Sequence, residues 1–178
     1  MQYSTHDTLA ILRRTPRVLR ALLADLGEDW TARPYGPDTW SAHDVLAHLI
    51  HGERTDWVPR ARILLQHGDA RAFDPFDRQG YLDEARAKPL AALLDEFDAL
   101  RKQSLADLAA LNLSPADLDR RGRHPALGPV TLRNLLATWA CHDLNHVAQA
   151  CKALAHQYRA EVGPWEAYMS ILAPPAPR

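Results

Sequence analysis

Apolar residues recur along the chain at the spacing of amphipathic helices. Four long stretches carry large apolar side chains at three- and four-residue intervals, and they cover residues 5–26, 41–66, 89–111 and 132–160. A shorter apolar stretch at 165–172 predicts a helical tail. No stretch shows the strict alternation that marks a half-buried strand. The pattern therefore predicts an all-α fold, a four-helix bundle in one domain that spans residues 1–178.

Proline and capping residues indicate where these helices begin and break. Ser41 followed by Asp44 has the spacing of a capping box at the start of the second helix. Pro16 interrupts the first helix, and Pro59 bends or divides the second. A polar connector follows the second helix up to about residue 86. Its length predicts a crossover between helices 2 and 3 instead of a tight hairpin.

The charge balance and the cysteine positions narrow the functional classes. The chain has 21 basic and 22 acidic residues, so it lacks the basic excess expected of a nucleic-acid-binding surface. No apolar run has the length of a membrane span, and the N-terminus lacks a signal-peptide pattern. Cys141 and Cys151 lie about 15 Å apart along one predicted helix, too far for a disulfide. We therefore expect a cytoplasmic protein that binds neither nucleic acid nor membrane.

Three histidines on two predicted helices are the candidate chemistry. His142 and His146 stand four residues apart within the apolar stripe of the fourth helix, so they share one face. His48 lies at the edge of the stripe of the second helix. If these helices face each other, three imidazoles meet and leave a fourth metal position for water or substrate, as in catalytic sites. The alternative is a buried, hydrogen-bonded histidine pair without metal.

Several separated motifs resemble the DinB/YfiT-like superfamily. The run WSAHDVLAHL at 40–49, followed by Glu53, resembles that family's second helix. HPALGPVTL at 124–132 and WACHDLNHVAQ at 139–149 resemble its last loop and fourth helix. The resemblance implies a four-helix bundle with a long crossover between helices 2 and 3. It also implies one divalent metal ion (Zn, Ni, Fe or Mn) on the three histidines, with water in the open position.

The remaining polar residues near the ligands have competing interpretations. Glu53 could orient an imidazole, act as a general base, or form a salt bridge with an arginine. Asp143 leans toward the apolar stripe and is a candidate for a supporting role, whereas Asn145 points to the surface. Five further histidines are predicted not to be ligands, although one of them, His51, is near enough to reach the rim of the pocket. They are His43, His51, His67, His124 and His156.

The resemblance points first to a metal-dependent enzyme. Members of the superfamily include thiol S-transferases and thiol-dependent isomerases, in which a metal activates a low-molecular-weight thiol toward a small electrophile. Hydrolysis on the same site is a further candidate. A thiol that carries an anionic group would require arginines at the pocket mouth, for which Arg54, Arg60 and Arg62 are candidates.

The second hypothesis is a stress- or damage-associated bundle without turnover. In that case the metal would join the second helix to the fourth, and the protein would act through partners or as a homodimer. Apolar residues of the tail, such as Trp165 and Met169, could cover a dimer interface or could pack on the chain's own bundle.

Overall fold

A computed structural model of the chain describes residues 1–173, and most of these residues are helical. The predicted domain extends to residue 178, so its last five residues lie outside the described part. The helices are α1 (Thr5–Leu12), α2 (Thr15–Leu23), α3 (Glu28–Thr31), α4 (Ala42–Thr55), α5 (Trp57–His67), α6 (Leu82–Arg86), α7 (Leu90–Ala110), α8 (Leu132–Gln157) and α9 (Arg159–Val162). Short 3-10 turns occupy 68–70, 115–119, 163–168 and 170–172.

The four predicted helices correspond to α1–α2, α4–α5, α7 and α8, and the first two are each broken into two segments. The first breaks just before Pro16, which occupies the first turn of α2, where a missing N–H is tolerated. The second breaks at Asp56 and not at Pro59, which also lies in a first helical turn. The segment between α5 and α7 is the expected crossover, and it contains α6. The fold is therefore the predicted all-α bundle.

Side-chain caps fix the starts of the two helices that carry the candidate histidines. Ser41 and Asp44 form the predicted capping box at α4, in which each side chain bonds the backbone N–H of the other residue. Thr131 and Asn134 form an equivalent box at α8. Both boxes satisfy N–H groups that would otherwise lack partners, so they define where each helix begins.

A two-stranded hairpin before α8 was not predicted from the sequence. Strands β1 (Arg121–His124) and β2 (Gly128–Thr131) pair antiparallel, and Gly128 adopts φ 76° at the turn. Four-residue strands are too short to show an alternating pattern, and these contain few apolar residues. The backbone N–H of Phe73 bonds the Arg123 carbonyl at 2.9 Å, which ties the start of the crossover to the hairpin.

Two clusters of buried apolar residues fill the bundle on either side of the candidate site. The first contains α5, the ends of α1 and α7, and the first half of α8, including the fully buried Trp139. The second contains α2, most of α4, the start of α7 and the end of α8. Within the described residues, no helix is long and apolar enough to cross a membrane.

Gly122 is expected to be intolerant of a side chain, because it packs directly on α5. A Cβ atom placed there would lie 2.9 Å from Cγ of Leu64, which is fully buried and cannot move aside at low cost. We expect Gly122→Ala to lower the free energy of unfolding by about 1–3 kcal/mol through overpacking. The free energy of unfolding is measured by urea unfolding, followed by circular dichroism.

Gly36→Ala is the matched control for this prediction. A Cβ atom at Gly36 would make only an ordinary contact, 3.9 Å from Thr39. We expect its free energy of unfolding to stay within about 0.5 kcal/mol of the wild type. Equal stability of the two variants would show that the hairpin can shift away from α5.

Candidate metal centre

The imidazoles of His48, His142 and His146 converge between α4 and α8. Nε2 of His142 lies 3.0 Å from Nε2 of His48 and 3.1 Å from Nε2 of His146. One nitrogen of each ring lies within 4.8 Å of those of the other two, and no other such cluster of possible metal-ligating groups occurs among residues 1–173. The structure thus brings together the three histidines that the sequence singled out.

The surroundings of these rings favour their neutral form. Burial and the charges of the neighbouring histidines together lower the pKa of His48 to about 2, and burial, His146 and Arg101 together lower that of His142 to about 3. Burial also lowers the pKa of His146, partly offset by its hydrogen bond to Gln149. The ring of Trp40 covers the cluster, with its centroid 4.8 Å from that of His48 and 6.1 Å from that of His146. Neutral imidazole is the form that binds metal ions.

A hydrogen bond on the outer side of the His146 ring sets which of its nitrogens faces inward as an acceptor. Nδ1 of His146 donates to the side-chain oxygen of Gln149 at 2.8 Å, so Nε2 of this neutral ring carries a lone pair. Nδ1 of His48 lies 3.0 Å from the hydroxyl of Tyr81. Nδ1 of His142 is buried, with no hydrogen-bond partner in the described residues. Outer partners of this kind orient imidazole ligands in metal sites.

This arrangement fits a divalent metal ion better than it fits direct contacts between the rings. Nε2 of His142 faces two other Nε2 atoms, and a single proton on it could satisfy only one of them. Metal–nitrogen bonds of about 2.0–2.1 Å in tetrahedral geometry place ligand nitrogens about 3.3 Å apart, close to the separations found here. Three imidazole donors suit zinc, nickel or iron(II), so the donor set does not select one metal.

The three histidines open onto a large cavity of about 1250 Å³. Its α4–α5 wall presents His48, Gly52, Asp56 and Arg60, which are spaced four residues apart on one face. Gln149 of α8 also lines it. The crossover contributes Phe76, Arg78 and Arg86, and the hairpin contributes His124. A ligand in this cavity would therefore contact the histidines, a buried carboxylate and several arginines.

Asp56 is the buried carboxylate of this cavity. It lies at the break between α4 and α5, and it forms an ion pair with Arg60 one turn later. Burial raises its pKa to about 6, and the charge of Arg60 only partly opposes this. The sequence pattern gave no reason to select Asp56, because the helix break was expected at Pro59.

Glu53, the sequence candidate for a catalytic group, points away from this cavity into the bundle. Its Oε1 atom accepts hydrogen bonds from Arg101 at 2.7 Å and from the indole of Trp139 at 3.2 Å. Arg101 also bonds both carboxylate oxygens of Asp143, and all three charged side chains are buried. The salt bridge to an arginine is therefore the interpretation of Glu53 that the structure shows.

The other sequence candidates are dispersed. Asn145 is exposed, as expected. Of the histidines predicted not to be ligands, His51 stacks on Tyr81 at 4.3 Å beside the site, and His124 lines the cavity without joining the cluster. His43 bonds the Lys88 carbonyl. Cys141 is exposed and Cys151 is half-buried, both as free thiols.

Among the arginine candidates, only Arg60 lines the cavity. Arg54 and Arg62 instead form ion pairs with Glu96 and Asp107 of α7. The cavity arginines that the sequence analysis missed, Arg78 and Arg86, come from the crossover, which carries no helical pattern that would orient them. Tyr81 was missed for the same reason, whereas Gln149 could have been found from its position three residues after His146.

Comparisons with known proteins agree with the fold and with a metal site. The sequence model of the DinB superfamily matches residues 11–150. A relative from Bacillus licheniformis is 28% identical over 142 residues, which cover 77% of each chain. One from Oceanobacillus iheyensis is 23% identical over 134 residues, covering 75% of this chain and 76% of the relative. Both carry the name "putative metal-dependent hydrolase".

A solved structure, YfiT from Bacillus subtilis, has the same fold. It superposes with a TM-score of 0.73 over 90% of both chains at 18% sequence identity. YfiT is described as a probable metal-dependent hydrolase with an unusual four-helix bundle topology. The helices and the crossover therefore follow one another along the chain in the same order as in YfiT.

The depressed pKa values of the cluster make the stability of the metal-free protein depend on pH. An unfolded histidine has a pKa of about 6.5, so below this pH the unfolded chain binds protons that buried His142 rejects down to about pH 3. Stability is therefore lost as pH falls below 6.5, and His142 contributes about 1–2 kcal/mol of this loss by pH 5. We expect His142→Gln to remove that part of the dependence.

Urea unfolding in the presence of a chelator, at pH 7, 6 and 5, tests this expectation. The difference in unfolding free energy between His142→Gln and the wild type should shift in favour of the variant as pH falls. The exposed His67→Gln serves as the control and should follow the wild-type curve. Parallel curves for all three proteins would contradict the neutral, buried state of the cluster.

Proposed function

The chain belongs to the DinB superfamily, and we propose that it is a metal-dependent enzyme that activates a small nucleophile. One divalent ion would be held by His48, His142 and His146. The observation that supports this function is that three neutral imidazole nitrogens converge at the wall of a large, open cavity. A metal in such a site supplies Lewis acidity, which lowers the pKa of a bound thiol or water molecule.

Asp56 is the group that would take up the proton released by the nucleophile. It lines the same cavity as the histidines, and a pKa of about 6 leaves it mostly ionised at neutral pH while keeping it basic enough to accept a proton. Glu53 is occupied by Arg101 and Trp139 and does not line the cavity. The proton would then be available for return to the leaving group.

Transfer of a low-molecular-weight thiol to a small electrophile is the first candidate reaction. The cavity is large enough for two small substrates together, and Arg78 lines it without an ion pair to any described residue. Such an arginine can bind a carboxylate or phosphate on the thiol cosubstrate. The resemblance to thiol S-transferases and thiol-dependent isomerases supports the same reaction.

Hydrolysis is the second candidate, and the names of the relatives favour it. The curated relatives are named as metal-dependent hydrolases, and YfiT is described in the same terms. In this reaction water would replace the thiol as nucleophile, and the roles of the histidines and Asp56 would be unchanged.

The non-catalytic alternative has less support from the site. A structural metal site is closed by a fourth protein ligand. Here the cluster has three members among the described residues, and it opens onto the cavity. A homodimer remains compatible with either function, because Leu172 anchors the tail on the bundle while Trp165 and Tyr168 stay exposed.

The metal site is tested first by elemental analysis of protein expressed without a histidine tag. We expect about one divalent ion per wild-type chain, and its loss in His142→Ala because one of three ligands is removed. His67→Ala, which alters an exposed histidine outside the cluster, should keep its metal. If the wild type cannot be loaded with zinc, nickel, manganese or iron(II), the proposed site is wrong.

The two candidate reactions are separated by following thiol and ester consumption with the loaded protein. Cysteine, glutathione and coenzyme A are assayed with bromobimane and chlorodinitrobenzene as electrophiles, and p-nitrophenyl esters are assayed without thiol. Metal-dependent loss of thiol supports S-transfer, whereas metal-dependent release of nitrophenol without thiol supports hydrolysis. Absence of both activities in metal-loaded protein favours the non-catalytic alternative.

Substitution of Asp56 is expected to impair proton transfer and leave metal binding intact. We expect Asp56→Asn to lower the rate by about 10²–10⁴-fold, the usual contribution of a general base. The wild-type rate should rise with pH through about 6 as Asp56 ionises, and this limb should be absent in the variant. Asp83→Asn changes a fully exposed carboxylate of the same cavity and is the control. Equal pH profiles for wild type and Asp56→Asn would exclude this role.

A further inference from the structure

We propose that Arg101 is a positioning residue for the three-histidine site, although its helix, α7, carries none of the three histidines. Arg101 acts through Glu53 on α4 and Asp143 on α8, which are the two helices that do carry them. This role rests on the proposed metal site. Arg101 would not bind the metal itself, but it would fix where the ligands stand. We refer to Glu53, Arg101 and Asp143 as the buried ionic triad.

The hydrogen bonds of Arg101 join α7 to three other helices at one point. Its Nη1 donates to Oδ2 of Asp143 at 2.6 Å, and its Nη2 donates to Oδ1 of the same carboxylate at 3.1 Å. Nη2 also donates to Oε1 of Glu53 at 2.7 Å, and Nη1 to the backbone carbonyl of Leu12, at the end of α1, at 2.7 Å. The forked, two-point contact with Asp143 fixes direction as well as distance.

Each carboxylate of the triad lies on the same helix as a candidate ligand and close to it in the sequence. Asp143 directly follows His142 in α8, and Glu53 lies five residues after His48 in α4. The indole of Trp139 donates to the same oxygen of Glu53 at 3.2 Å, one turn before His142. The triad therefore joins α4 to α8 in the part of each helix that carries the candidate ligands.

The site requires such a constraint, because its ligands come from two separate helices. A shift of one residue along a helix moves a side chain by about 1.5 Å, whereas metal–nitrogen distances tolerate only about 0.2 Å. Apolar contacts between α4 and α8 are nondirectional and permit small sliding movements. A guanidinium that bonds carboxylates on both helices restricts this sliding.

Stability alone is a poor explanation for the triad. The side chains of Arg101, Glu53 and Asp143 have at most 2% of their surface exposed, and together they carry one uncompensated negative charge. Burial opposes the charge of Arg101, but the two carboxylates outweigh it and raise the pKa of Arg101, so the guanidinium stays ionised. Buried ion groups of this type are often no more stabilising than apolar residues of similar size. The constraint on helix register gives the triad a role that apolar residues would not fulfil.

The test removes all three charges at once, so that no unpaired charge is left in the core. In the triple variant Glu53→Gln, Arg101→Met and Asp143→Asn, the fold is expected to persist, and the amide oxygen introduced by Glu53→Gln still accepts from Trp139. Zinc affinity is measured by competition with a chelator, and the visible spectrum of the cobalt(II) form reports coordination geometry. We expect affinity to fall by about 10–100-fold and the cobalt spectrum to change.

Two further variants separate positioning from general destabilisation. Leu94→Ala weakens the buried packing of the same helix two turns away, and it should keep the wild-type zinc affinity and cobalt spectrum while lowering stability. Arg101→Lys keeps the charge but cannot make the two-point contact, so it should fold and still lose affinity. If the triple variant does not fold, Arg101→Lys decides the question.

The outcomes distinguish this inference from the proposed metal site. Wild-type protein that binds neither zinc nor cobalt would overturn both. Wild-type protein that binds metal, together with a folded triple variant or Arg101→Lys of unchanged affinity and spectrum, would overturn only the role of Arg101. Equal losses of affinity in Leu94→Ala and the triad variants would also overturn it, because the effect would then follow stability.

Discussion

The meeting of three uncharged imidazoles between α4 and α8 is the constraint on which the rest of the site depends. Their nitrogens approach to 3.0 and 3.1 Å, and this is tolerable only while the rings stay neutral or share a cation. Burial supplies the first condition by lowering the pKa of His48 and His142 far below 6.5. Capping boxes define the starts of both helices, and the ring of Trp40 lies over the cluster.

The helix break at Asp56 gives the site its second feature, a cavity wall with chemistry of its own. Asp56 lies at the junction of α4 and α5, on the same face as His48 and Gly52, and burial raises its pKa to about 6. The crossover and the hairpin also line the cavity, and Gly122 allows the hairpin to lie directly against Leu64.

The sequence predicted those features that follow from helical periodicity. The four apolar stripes, the capping box at Ser41 and the shared face of His142 and His146 all depend on residues near one another in the chain. Long-range features were not predictable in this way. Tyr81, Arg78 and His124 reach the site through the crossover and the hairpin, which carry no periodic pattern. The partner of Glu53 lies 48 residues away on α7, so only the folded chain shows that this carboxylate is already bound.

The two acidic residues Glu53 and Asp56 illustrate how environment separates roles that sequence position cannot. They lie three residues apart on consecutive helical segments, and either could serve as a base when only the chain is considered. Glu53 contacts a fixed cation and an indole N–H and does not line the cavity, so it has no route to a substrate. Asp56 faces the cavity, and its pKa is raised toward neutrality. Two neighbouring carboxylates thus have different proposed roles: Glu53 maintains the register of the ligand-bearing helices, and Asp56 accepts a proton in the cavity.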